Sequence, residues 1–114
     1  MKRGEIRVAN LNPPRGCEVG KIRPVLVMQA NELIDAGAPM VIGLPLTTQV
    51  RAELELLRVT IPARDRLKQP CQVILDQPRA LDRARMGGGP LTRLTRSELE
   101  AVERGLKVTL GMDG

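Results

Sequence analysis

The chain has 114 residues, with 18 Lys+Arg against 13 Asp+Glu for a net charge of +5, and it contains no Phe, Tyr, Trp or His. That length makes one domain with a modest, purely aliphatic core, and the missing residue types remove the commonest general base, the commonest metal ligand and any aromatic platform for stacked bases. Cys17 and Cys71 have no Cys or His companions and no apolar run nears membrane-spanning length, so free thiols in a soluble cytoplasmic protein are expected, with no zinc site, membrane span or secretory leader.

Residues 6–11 alternate well enough for a first strand with Ile6 and Val8 on one face. Pro13, Pro14, Gly16 and Gly20 end it and make a long charged loop. Arg23-Pro24 then opens a nearly continuous apolar run to Gln29. Proline disfavours helix for the residue before it, so Arg23 is held extended at the mouth of a second strand that is central or covered on both faces. Asn31 is placed to cap a short helix through Ala36, which Gly37 and Pro39 stop. Residues 40–46 read as a third strand with Pro45 at its end or edge, followed by the polar corner Thr47-Thr48-Gln49.

A fourth strand is expected over 56–61, a basic connection over 62–70, and a fifth strand over 71–75 that runs into Asp76-Gln77-Pro78-Arg79. A helical turn follows at 82–86, and Gly87-Gly88-Gly89-Pro90 reads as a turn into a brief strand at 91–94. Thr95-Arg96-Ser97-Glu98 has the capping-box pattern, and Leu99, Val102, Leu106 and Leu110 share one face of a closing helix that Gly111 ends. Short strands without long helices between them predict a mainly β fold: a small antiparallel barrel or strongly bent sheet with short helices and a C-terminal amphipathic helix, one domain over 1–114.

Polar groups stand at three strand ends: Arg23, Thr47 and Asp76-Gln77. A fixed Arg, a hydroxyl and a carboxylate on one rim suit phosphoryl chemistry, with the Arg neutralising charge on a phosphate oxygen, the Thr donating a hydrogen bond and the carboxylate accepting a proton. The bland alternatives are a solvated strand-end charge, turn threonines and a structural carboxylate. Eleven of the basic residues lie after residue 57 against seven acidic ones, which fits a polyanionic partner. Gly87-Gly88-Gly89-Pro90 lacks the Gly-Lys-Ser/Thr ending of a nucleotide loop.

In order along the chain, Lys2-Arg3-Gly4-Glu5-Ile6, Leu11-Asn12-Pro13-Pro14-Arg15-Gly16-Cys17-Glu18, Arg23-Pro24-Val25-Leu26-Val27, Leu44-Pro45-Leu46-Thr47-Thr48 and Asp76-Gln77-Pro78-Arg79-Ala80-Leu81-Asp82 resemble the MazF/PemK (Kid) toxins of bacterial toxin–antitoxin systems. The resemblance covers nearly the whole chain. It implies an SH3-like barrel of the MazF/PemK/CcdB type, a homodimer, and cofactor-free, metal-independent cleavage of single-stranded RNA (mRNA). In that chemistry the ribose 2′-OH attacks the adjacent phosphate and leaves a 2′,3′-cyclic phosphate and a 5′-OH. It also implies an acidic, partly disordered cognate antitoxin and no membrane partner.

By position, the resemblance makes Arg23 and Thr47 catalytic, with Asp76 matching a proposed base. Asn12, Pro14, Arg15, Glu18, Lys21, Thr48, Gln49, Gln77 and Arg79 fall on its RNA-binding segments. Three positions depart from the family pattern: Arg7 where a bulky aromatic is common, Cys17 where some members have histidine, and Ile74 where one branch has arginine. Arg23 and Thr47 are therefore expected to carry most of the chemistry, Arg23 as an electrostatic clamp rather than a proton shuttle. The alternative from the same fold is a non-nuclease binding toxin that, like CcdB, poisons gyrase.

Overall fold

The computed structural model describes residues 1–13, 15–17 and 20–112. Its strands are β1 Glu5–Asn10, β2 Ile22–Val27, β3 Met40–Thr47, β4 Arg58–Ile61, β5 Cys71–Ile74, β6 Arg79–Asp82 and β7 Met86–Arg93, with helices α1 Asn31–Asp35 and α2 Arg96–Thr109. The strands pair in the order β4-β5-β3-β2-β1-β7, every pairing antiparallel, and β6 also pairs with β3. The path is not closed. The sheet is instead bent into an SH3-like barrel, and the segment after β4 bridges the gap to β7 through Arg66 N–H donating to the Leu91 carbonyl at 3.0 Å.

The bend follows from apolar residues on both faces of the central strands. Ile6, Leu26, Leu44, Leu46, Ile61, Cys71 and Val73 fill the interior with Leu67, Leu75 and Val102, while Ala9, Leu11, Val25 and Leu81 form a second cluster on the opposite face. The run Val25-Leu26-Val27 is thus buried on both sides, as its continuous apolarity predicts. Helix α2 seals the interior with Val102 and the half-buried Leu106. It approaches closely because Gly105 lies against Leu75, where a Cβ would overlap the leucine side chain. Thr95 caps it through the expected capping box, its hydroxyl accepting from Glu98 N–H while Glu98 accepts from Thr95 N–H.

Several expectations are corrected. Pro45 lies inside β3, buried and paired with Val25, rather than at an end or edge. It is tolerated because β3 trades partners there: β6 pairs up to Gly43 and β5 only from Leu46, so the missing N–H falls in a gap of the ladder. The glycine-rich segment lies within β7 and is a bulge, not a turn. The β1–β7 register jumps from Ile6↔Thr92 to Val8↔Gly87, Gly88 takes φ +58°, and Arg7 Nη1 secures it by donating to the Gly88 carbonyl at 2.6 Å. Asn31 does not cap α1. Ala30 takes the cap position, because Asn31 Oδ1 accepts from Arg3 N–H at 2.8 Å instead. Residues 79–82 form a strand where none was expected, β4 starts only at Arg58 with Leu56 exposed, and Leu110 caps α2 half out in solvent instead of packing.

Candidate functional site

The β2–β3 register sets the site. Val25, Leu26 and Val27 pair with Pro45, Leu44 and Gly43, and continuing that ladder by two residues places Arg23 opposite Thr47. On its other side Arg23 pairs with Ala9 of β1, and Thr47 with Gln72 of β5. Two polar side chains at a strand mouth thus share one row on one face of the sheet. They line a cleft of about 240 Å³ together with Lys21, Ile22, Pro24, Leu46, Thr48 and Gln49.

Local contacts orient each group. Arg23 is half-buried, and its Nε donates to the Gly20 carbonyl at 2.7 Å, its one hydrogen bond among the described residues. The remaining fork of guanidinium donors stays available for an oxyanion. Thr47 is 7% exposed, and its Oγ1 accepts from Gln49 N–H at 3.1 Å. That bond leaves the hydroxyl proton free to be donated. Lys21 sits at φ 70°, uncommon for a residue with a side chain, because its N–H donates to Asn12 Oδ1 at 2.7 Å and its carbonyl accepts from Leu11 N–H at 2.8 Å. Among the described residues the lining holds two cations, Lys21 and Arg23, and no carboxylate, which makes it positive.

The other expected site residues that the structure describes, apart from Thr48 and Gln49, lie elsewhere. Asn12 pinches the base of the first loop, and Arg85 Nη1 reinforces it by donating to the carbonyls of Asn10 and Asn12 at 3.4 and 3.1 Å. Arg15 and Cys17 are exposed on that loop, while Pro14 and Glu18 lie outside the described residues. β5 and β6 run along the same edge of β3, and Asp76 and Gln77 occupy the break between them. Asp76 is exposed there, and Gln77 Nε2 donates to the Cys17 carbonyl at 3.4 Å. Arg79 pairs with Gly43 in β6. Of these, Asn12, Arg15, Asp76, Gln77 and Arg79 do not line the Arg23–Thr47 cleft, whereas Thr48 and Gln49 do.

The three departures also find places. Arg7 is held by Glu5 and the Gly88 carbonyl, Ile74 is buried in β5, and Cys17 carries an exposed thiol while burial pushes the Cys71 thiol up from its ordinary pKa. One residue the sequence reading passed over is Gln72, 2% exposed and directly opposite Thr47. The signal available was a lone amide inside the apolar run of residues 71–75. Among the described residues, no group of three His, Cys, Asp or Glu is arranged to hold a metal ion, and no helix is long and apolar enough to cross a membrane.

The same fold recurs in solved structures. MazF from Deinococcus radiodurans superposes with a TM-score of 0.82 at 26% identity, over 98% of this chain and 97% of that one. The Mycobacterium tuberculosis toxin MazF-mt6 gives 0.77 at 24% identity, over 96% and 99% of the two chains. An endoribonuclease in complex with its cognate antitoxin, from a mycobacterial species, gives 0.78 at 20% identity, over 100% and 98%. Residues 2–110 match the family of PemK-like, MazF-like toxins of type II toxin–antitoxin systems, and the chain belongs to that family.

Proposed function

We propose that this toxin is a metal-independent endoribonuclease that cleaves single-stranded RNA in the Arg23–Thr47 cleft. The observation that carries the reading is the cross-strand placement of Arg23 opposite Thr47 in a cleft whose described lining carries two cations. The mycobacterial neighbour of the same fold is itself an endoribonuclease. A phosphodiester seated there receives the guanidinium fork on its non-bridging oxygens, where charge builds as the ribose 2′-oxygen attacks. Thr47 Oγ1–H donates to the same phosphate. The 2′-O–P bond forms and the P–O5′ bond breaks, giving a 2′,3′-cyclic phosphate. The departing 5′-oxygen takes up one proton and the 2′-OH gives up one, so no net proton is consumed. The remaining lining cation, Lys21, draws the RNA backbone into the cleft.

The protein works as a homodimer opposed by an acidic cognate antitoxin. Exposed apolar residues at the start of β3, Met40 and Ile42, support self-association, and the positive charge supports an acidic inhibitor. The decisive experiment is incubation of the purified protein with a long single-stranded RNA in EDTA, followed by end-mapping. Cuts at a short motif with cyclic phosphate and 5′-OH ends are expected. Intact RNA from folded protein overturns the reading, and gyrase-dependent DNA breaks in a parallel assay would put a gyrase poison in its place.

A further inference from the structure

Gln72 is out of keeping with its strand. β5 reads Cys-Gln-Val-Ile, all four residues are buried, and a buried amide must find partners for two donors and a carbonyl. Gln72 finds them mostly at one residue of the loop after β3. Its Oε1 accepts from Arg51 N–H at 3.0 Å and its Nε2 donates to the Arg51 carbonyl at 3.3 Å. Thr60 Oγ1 takes the second amide proton at 3.2 Å, and Arg58 Nη1 approaches Oε1 at 3.5 Å. A side chain from the sheet thus supplies both halves of the ladder that the chain at Arg51 lacks.

The clamp is placed where it matters. Gln72 stands opposite Thr47, and Arg51 lies two residues beyond Gln49, the last cleft-lining residue before it. Two Cα steps bring its backbone within about 7–8 Å of that wall. The clamp uses only the Arg51 backbone. The Arg51 guanidinium is exposed and, among the described residues, has no ion pair or hydrogen bond. A long side chain ordinarily loses much rotamer freedom on gripping a ligand, and a backbone fixed at both peptide groups narrows where the guanidinium swings.

We propose that Gln72 is a positioning residue that holds Arg51 beside the cleft as a phosphate-binding group for the RNA strand next to the cut. This rests on the ribonuclease reading above. The occupant is a phosphodiester because the free group is a planar fork suited to bidentate phosphate contact and the adjoining cleft is itself positive.

The test uses the full chain. One cut site mapped on the long RNA is copied into an oligonucleotide with a 2′-deoxyribose at the cut, which binds without being cleaved. Its affinity is titrated against salt for the natural protein, Arg51→Ala, Gln72→Met and the double variant. Arg51→Ala is expected to weaken binding about fivefold and to lower the slope of log K against log salt by about 0.7, the share of one phosphate contact on a single strand. Gln72→Met keeps the volume without the amide and reproduces most of both losses. The double variant binds no worse than Arg51→Ala alone, the mark of two residues acting through one contact. On the cleavable oligonucleotide the effect appears in KM, with kcat changed less than about threefold.

An unchanged salt slope in Arg51→Ala, or additive losses in the double variant, overturns the proposal. Arg51→Ala leaves the backbone clamp intact, so it decides the matter even where Gln72→Met lowers the Tm too far to assay. A natural protein that neither binds nor cuts RNA defeats the ribonuclease reading itself; RNA cleavage with an unaltered Arg51→Ala slope defeats the clamp alone.

Discussion

Arginines at the two ends of the sheet live in different surroundings. At the Glu5 end of β1 they are matched with carboxylates. Glu5, 3% exposed, accepts from Arg7 Nε at 2.9 Å and Arg93 Nη2 at 3.1 Å, and from Lys2 N–H at 3.0 Å. Burial pushes its carboxyl up, but the bonds from Arg7 and Lys2 with the Arg7 charge outweigh that and leave it below the usual carboxylate range. Nearby, Arg64 meets Glu98 with two bonds of 2.6 and 2.8 Å and also donates to Thr92 Oγ1 and the Arg93 carbonyl. At the other end Arg23, among the described residues, holds only a carbonyl. Charge beside β1 and β7 is neutralised within the protein, whereas the guanidinium at the cleft is not matched with a carboxylate among the described residues. Counting basic residues in a sequence cannot separate the two uses; finding the nearest carboxylate does.

The largest expected effect tests the cleft half of that contrast. Removing an electrostatic donor aimed at developing charge costs about 100- to 1000-fold in rate, so Arg23→Ala should lose that much RNA cleavage with little change in Tm. Arg23→Lys should recover little, because an ammonium cannot reproduce the fork. A cleavage rate within tenfold of the natural protein would mean that the cleft cation is not at the chemistry.

The seam half predicts the reverse pattern. Arg64→Ala strips Glu98 of a partly buried bidentate partner and opens the connection between β4 and β7, at a cost of about 2 kcal/mol, read as a lower urea midpoint. Activity per folded molecule should stay the same. The pH dependence follows with a definite sign. Hydrogen bonds from Arg64 hold the Glu98 carboxyl below its usual range, with burial opposing and the Thr95 cap bonds helping. The folded value is then below the unfolded one, near pH 4.3. This stability is present above that unfolded value and is lost as pH falls through the folded one. Glu98→Gln should flatten that acid loss and leave the profile between pH 6 and 8 unchanged. An undiminished acid loss in the variant would assign it to Glu5 or to other carboxylates.

How far the sequence carried these conclusions depends on the kind of signal. Arg23 was legible because the restriction proline places on its predecessor is local, and the Thr95–Glu98 capping box was legible for the same reason. The opposition of Arg23 and Thr47 was not, because register belongs to a strand pair twenty residues apart and no local rule sets it. The bulge at Gly88 needed the knowledge that β1 runs beside β7. Asn31 and Gln72 show the same limit in their side chains. Each reaches across the fold, Asn31 to Arg3 and Gln72 to Arg51, and so abandons the role its neighbours in sequence suggest.

The smallest expected effect bears on Asp76. As an exposed carboxylate after a strand it resembles a base, and at a cleft containing Arg23 it would pair with the guanidinium much as Glu98 pairs with Arg64. It lies instead in the break between β5 and β6, outside the cleft lining, in the stretch whose neighbour Gln77 leans on the first loop. A proton acceptor must come within hydrogen-bond reach of the 2′-OH, directly or through one water. Asp76→Asn should therefore change kcat/KM by less than about threefold and leave the pH–rate profile in place, since a carboxylate that does not line the cleft contributes little to the transition state there. A loss approaching that of Arg23→Ala, with an acid limb removed from the profile, would show that the RNA-bound protein brings this break against the cleft, and the boundary between structural and functional charge would have to be redrawn there.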